Sequence, residues 1–173
     1  MLCKIDNITQ KNQPMVNEMK IAILYDSKYG NTKKVAEFLA EKIQNEGHEV
    51  KLFRTTESKP AELLTFQPEA ILVGGPTHMH KPARTLSNYI KKLGKLGRAS
   101  TIQKAAVFNC YTGDNVCEII QTEISKVLPQ IQICEQCLPV NRREVDNWQE
   151  VVLPENWEED ASTFLSAFLT FLS

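Results

Sequence analysis

The densest chemistry in the chain lies in six consecutive residues, Ser27-Lys28-Tyr29-Gly30-Asn31-Thr32. They join a short apolar run to an amphipathic one, the boundary of a strand and a helix. The hydroxyls of Ser27 and Thr32 can donate to phosphate oxygens, and Gly30 permits close backbone approach. The helix start behind them offers unpaired N–H groups and a positive dipole end. That combination makes an anion site. The same residues also read as an ordinary capped helix, with Asn31 or Thr32 as the cap. Two later segments have a similar loop composition. One is Gly74-Gly75-Pro76-Thr77, continuing into His78-Met79-His80; the other is Asn109-Cys110-Tyr111-Thr112-Gly113-Asp114. In open parallel sheets, ligands bind outside the carboxyl ends of the strands, where such loops sit.

Competing phosphate sites fail on their residues. The chain has no G-x-G-x-x-G and no G-x-x-x-x-G-K-[ST], so the dinucleotide and NTPase fingerprints are absent. No acidic pair stands where a phospho-accepting receiver domain would keep its aspartate.

The elements that must carry these loops follow from periodicity. Buried strands are expected over Lys20 to Asp26, Ala70 to Val73 and Lys104 to Phe108. An edge strand is expected over Glu49 to Arg54 and a last strand over Ile131 to Leu138. Helices are expected over Thr32 to Glu46, Pro60 to Thr65, Ala83 to Leu93, Asn115 to Val127 and Pro154 to Leu172. Gly47 suits a helix C-terminus, and Pro60 a helix start. Inward faces are Val35, Ala36, Leu39, Ala40 and Ile43; Leu86, Ile90 and Leu93; Val116, Ile119, Ile120, Ile124 and Val127; and Trp157, Ala161, Phe164, Leu165, Phe168 and Leu172. Five strands alternating with five helices mean parallel βα units and a layered α/β sheet. The polar, aperiodic residues 1–19 read as a flexible N-terminal extension to a single domain over 20–173.

Composition narrows the function classes. With 173 residues, 42% apolar and 24% charged, the chain is neither disordered nor fibrous. The apolar stretch from Ala161 to Leu172 is too short to span a bilayer and no secretory signal stands out, so a cytoplasmic protein without membrane insertion is expected. Residues 70–113 hold seven basic and no acidic residues, whereas residues 114–173 hold eleven acidic and three basic ones. The basic residues are not interleaved with aromatics and the net charge is −1, so nucleic-acid binding is not expected.

On these loops and this element order, the chain resembles the flavodoxins over Lys20 to Ser173. Ser27 to Thr32 is similar to their phosphate loop, [ST]-x-[TSY]-G-N-T. Gly74 to Thr77 resembles their first flavin loop, and Asn109 to Asp114 their second. The run Asp26 to Thr32 also resembles the flavodoxin domain of flavo-diiron proteins. The resemblance implies a three-layer fold, with a five-stranded parallel sheet in the order 2-1-3-4-5 and helices on both faces. It implies noncovalent FMN, with the phosphate on Ser27, Lys28, Tyr29, Gly30, Asn31 and Thr32. The ring would lie between Pro76, Thr77, His78, Met79 and His80 on one side and Asn109, Cys110, Tyr111, Thr112, Gly113 and Asp114 on the other. Tyr111 is the candidate for one ring face, and His78 or Met79 for the other. Family members often place Gly about where Met79 stands, in a turn that asks for φ > 0; Met79 is the candidate for that conformation.

The implied function is electron transfer between redox partner proteins, a reductase and an acceptor, with no covalent catalyst. An FMN-dependent NAD(P)H:quinone-type oxidoreductase and a binding module that has lost its flavin are the alternatives. Of the five cysteines, Cys134 and Cys137 form a C-x-x-C, but positions three apart on a strand face opposite ways, which disfavours a shared disulfide or metal. Cys110 reads as a small buried residue. No metal site is expected.

Overall fold

A computed structural model describes residues 17–96, 101–142 and 150–173. The expected extension falls outside these residues up to position 16. Met19 already packs against the core, and its carbonyl accepts the Glu49 N–H at 3.0 Å.

The elements are β1 (Lys20–Tyr25), α1 (Asn31–Asn45), β2 (Glu49–Arg54), α2 (Pro60–Thr65), β3 (Ala70–His78), β4 (Lys81–Pro82), α3 (Arg84–Leu96), β5 (Lys104–Tyr111), α4 (Cys117–Val127), β6 (Gln132–Asn141) and α5 (Trp157–Leu172). The sheet runs β2-β1-β3-β5-β6, all parallel, and β4 pairs antiparallel with β3 alone. Leaving out that two-residue strand, the expected order holds.

Strand alternation builds the layers. In β1, Ile21, Ile23 and Tyr25 face α1 and α5, while Ala22 and Leu24 face α2, α3 and α4. The same division splits Ala70 and Leu72 from Ile71 and Val73 in β3. The inward residues expected on α1 and α5 are all buried. Leu86, Ile90 and Leu93 of α3 are buried too, joined by Tyr89 and Gly94.

Several expected bounds need correction: β5 runs past Phe108 to Tyr111, and α5 starts at Trp157 rather than Pro154. Strand β3 does not end at Val73 but continues to His78. Its glycines are close-approach positions rather than turn residues. A Cβ on Gly74 would lie 2.1 Å from Phe108 Cζ, and one on Gly75 2.7 Å from Leu86 Cδ2. Helix α4 starts at Cys117 rather than Asn115, and Ile119 is 41% exposed, because only one face of this short helix meets the sheet. Strand β6 runs on to Asn141, past an irregular register against β5 between Ala105 and Val107.

Candidate functional site

The chain leaves β1 toward β2 on one side, while β3 lies on the other. This switch point puts the ends of β1, β3 and β5 around one cleft.

The loop after β1 is built from its own residues. Gly30 is the N-cap of α1 at φ 95°, a left-handed conformation that glycine adopts at little cost. Asn31 and Thr32, expected as alternative caps, are instead the first helical residues, and both are buried. Ser27 takes over the capping chemistry: its hydroxyl oxygen accepts the N–H of Gly30 at 3.1 Å and of Lys33 at 3.2 Å. Asn31 Nδ2 donates to the Glu150 carbonyl at 3.0 Å, while its Oδ1 is buried without a hydrogen-bond partner. The Thr32 hydroxyl acts to lower the pKa of the buried Cys110 thiol at the end of β5, against the larger upward effect of burial.

A polar strut supports the loop from below. The Asp26 carboxylate accepts Thr55 Oγ1 at 2.7 Å and also the Thr85 hydroxyl. Arg54 donates to the Ser27 carbonyl at 2.7 Å.

The other two loops are latched to each other. Pro76, Thr77 and His78 end β3, and a two-residue turn reverses the chain into β4, with His78 opposite Lys81. Met79 and His80 occupy that turn at φ 48° and 63°, so the expectation for Met79 holds and His80 shares it. Thr77 Oγ1 donates to the Asp114 carbonyl at 2.7 Å, and the His80 ring bonds the Asp114 carboxylate. Asn109 is fully buried beneath them; its Nδ2 donates to Gly75 O at 2.8 Å and its Oδ1 accepts Val116 N–H at 3.0 Å.

Between the loops lies a cleft of about 310 Å³ lined by Lys28, Tyr29, Pro76, Thr77, His78, Cys110, Tyr111 and Thr112, with Arg142 as a ninth residue. Tyr111 and His78, expected at opposite ring faces, both line it. Met79 stands away at the hairpin tip, 91% exposed, with His80, while Gly113 and Asp114 are exposed on the neighbouring loop.

Arg142 carried no sequence signal. It follows β6, and its N–H donates to Tyr111 O at 2.6 Å. Its guanidinium reaches Val152 O at 2.7 Å and Glu150 O at 2.9 Å. It thereby holds residues 150–152 against the first loop, where a Cβ on Gly30 would lie 2.9 Å from Val151 Cγ2. Burial lowers the Arg142 pKa, opposed by its interaction with Cys110. Burial pushes the Cys110 thiol up to about 12, so at neutral pH it is a protonated lining group and not a nucleophile. Among the described residues no helix is long and apolar enough to cross a membrane.

The comparisons agree with this architecture. The family model described as Flavodoxin domain matches residues 22–127. A flavodoxin of Aquifex aeolicus is 39% identical over 61 residues, 35% of this chain and 32% of that protein. A cysteine variant of flavodoxin from Pseudomonas aeruginosa superposes with TM-score 0.70 at 22% identity, covering 88% of this chain and 97% of that one. Rubredoxin oxygen:oxidoreductase from Desulfovibrio gigas superposes with TM-score 0.64 at 22% identity, covering 89% of this chain but 37% of that one. The chain spans only 20–32% of the length of the curated relatives it matches. A cleft at the β1–β3 switch point, framed by a glycine-capped loop and two latched loops, and a family match across most of the parallel sheet lead to one conclusion: this chain belongs to the flavodoxin family.

Proposed function

We propose that the domain binds FMN noncovalently in this cleft and carries electrons between redox partner proteins, a reductase and an acceptor. The observation that carries the reading is the convergence of an anion-binding helix start and two aromatic-bearing loops on one cleft. The donor set suits the group: Lys28 lines the cleft and its ammonium favours a phosphate, and the N-terminus of α1 with the buried Ser27 and Thr32 hydroxyls belongs to the same loop, behind that lining. The buried, unpartnered Asn31 Oδ1 offers an acceptor to a ribityl hydroxyl. Tyr111 and His78 supply flat faces for a ring system. Bound FMN supplies one- and two-electron chemistry, and the protein supplies binding, orientation and electrostatics. The latch from Thr77 and His80 to Asp114 holds the ring loops at a set spacing. Arg142 adds positive charge to the cleft wall.

The test separates phosphate recognition from ring binding. Thr32→Ala should weaken FMN binding about 10- to 100-fold, the equivalent of about 1.5–3 kcal/mol for a charge-assisted hydrogen bond, and leave riboflavin affinity nearly unchanged. Equal losses for both ligands would overturn the phosphate assignment. NADH-driven turnover by the FMN-loaded protein alone would replace the carrier reading with the oxidoreductase.

A further inference from the structure

The hairpin and helix that follow β3 carry one sign of charge. The Pro76 carbonyl, on the cleft lining, accepts the Ala83 N–H at 3.1 Å, so α3 begins at the cleft. Its apolar residues Leu86, Ile90 and Leu93 are buried. Arg84, Lys91, Lys92 and Lys95 are exposed, and their spacing of i, i+7, i+8 and i+11 lays them along one helix face. That stripe spans about 16 Å at 1.5 Å per residue. The exposed Lys81 of β4 extends it to the cleft rim, opposite His78. Among the described residues no carboxylate forms a salt bridge with any of these five, whereas Lys20, Lys33 and Arg54 each meet one. Glu123 reaches α3 from α4, but its carboxylate accepts the Ser87 hydroxyl at 3.0 Å. The arrangement works against the stability of the helix. Lys91 and Lys95 are a like-charge i,i+4 pair, and Arg84 stands at the positive end of the helix dipole with no acidic residue in that turn. Exposed apolar side chains stand at both ends: Met79 at the hairpin tip and Leu96 at the end of α3. Local rules are thus broken in one sign, beside the cleft, which is where a function can account for them.

We propose that this ridge is the docking surface for a partner protein that presents a cluster of carboxylates, with Met79 as the apolar contact beside the cleft. That the partner exchanges electrons rests on the carrier reading; that it is acidic rests on the ridge alone. A carboxylate patch suits the stripe better than a nucleic acid or a lipid surface does. Tyr89, the single aromatic residue of α3, is buried, so bases would find no ring on the helix to stack on. A long polyanion would also run past the ridge toward the acidic part of the chain, since residues 114–173 hold eleven acidic residues against three basic ones. A lipid surface takes an apolar face along a helix, and here the exposed apolar residues stand only at its two ends. The positive ridge steers an acidic partner to the edge of the cleft, and Met79 excludes water where the two surfaces meet.

The test titrates the isotope-labelled full chain, with and without FMN, and follows its amide resonances. The probes are octaglutamate, a leucine-tipped octaglutamate, a short DNA duplex and phosphatidylserine vesicles. Octaglutamate should shift resonances clustered over residues 79–96, with an affinity that falls as salt rises. Arg84→Glu combined with Lys91→Glu should weaken that binding about tenfold, and Arg84→Gln combined with Lys91→Gln by less, with far-ultraviolet circular dichroism unchanged in both. Met79→Ser should weaken the leucine-tipped peptide and leave octaglutamate unaffected. Shifts centred on Lys28 and Arg142, no saturable shift on α3, or tighter capture of the duplex or the vesicles at equal charge would overturn the proposal. A chain that takes up no FMN would overturn the carrier reading and leave the peptide shifts in place.

Discussion

The loop after β1 and the hairpin after β3 border the same cleft but reach their shapes by opposite routes. In the first, the unusual backbone conformation belongs to Gly30, and the capping acceptor, Ser27, is three residues away. Local chemistry and local geometry agree. In the second, two side-chain-bearing residues, Met79 and His80, both take φ > 0, in a two-residue hairpin turn that ordinarily selects Asn and Gly. Neither has a local reason to do so. The hairpin is instead tied to residues far along the chain: the His80 ring bonds the Asp114 carboxylate, and Thr77 bonds the Asp114 carbonyl. One loop of the site is specified by its own residues; the other is held in place by its neighbour.

This contrast can be sharpened or broken by four measurements, in order of expected size. The first tests how deeply the β1 loop is sealed against the end of β5, through Cys110. Below pH 9.0 the thiol is protonated in both folded and unfolded chains, and its contribution to stability is fully present. Between pH 9.0 and about 12 the unfolded thiol ionises while the buried one does not, so stability falls as pH rises. The loss is about 1.4 kcal/mol per pH unit, about 4 kcal/mol over the interval. Urea unfolding across this range should show a shallower decline in Cys110→Ala. Burial also raises Tyr25 and Tyr89, which act in the same direction and are unchanged in the variant. Parallel declines would mean that the thiol is reached by water.

The second measurement is Gly30→Ala. A side chain at φ 95° costs about 1–2 kcal/mol, and the added Cβ must also push Val151 aside. Chemical denaturation should show that loss together with weakened FMN binding; an unchanged midpoint would remove the claim of local specification. Met79→Gly comes third and has the opposite sign. Relief of the left-handed strain should raise stability by about 1 kcal/mol, and Met79→Ala should not, because alanine keeps the Cβ. A destabilised glycine variant would show that the turn owes its shape to Met79 after all. The smallest effect belongs to Asp114→Asn. The His80 and Asp114 side chains are 82% and 56% exposed, so less than about 1 kcal/mol of stability should be lost. A larger loss would make the latch the main support of the hairpin.

The sequence by itself determined the layers and the position of the cleft. Alternation in Lys20 to Tyr25 divides side chains between two cores, and the helical spacing of Trp157 to Leu172 selects the buried face of α5. The loop from Ser27 to Thr32 was readable for the same reason: its glycine, hydroxyls and helix start act over a few residues. The rest came from crossovers that bring distant segments together. Gly74 and Gly75 look like a turn in sequence, but Phe108 and Leu86 pack so close to them that a strand there excludes a Cβ. Arg142 and Glu150 show no motif, yet they brace the first loop from more than a hundred residues away. Cys134 and Cys137 fall in opposite layers, as the alternation of a strand requires of residues three apart, but that Cys137 shares its layer with Cys117 depends on how α4 packs beside β6. Local periodicity decides which face of an element is buried. Which residue it meets there depends on how the elements pack, and that was decided only by the tertiary structure.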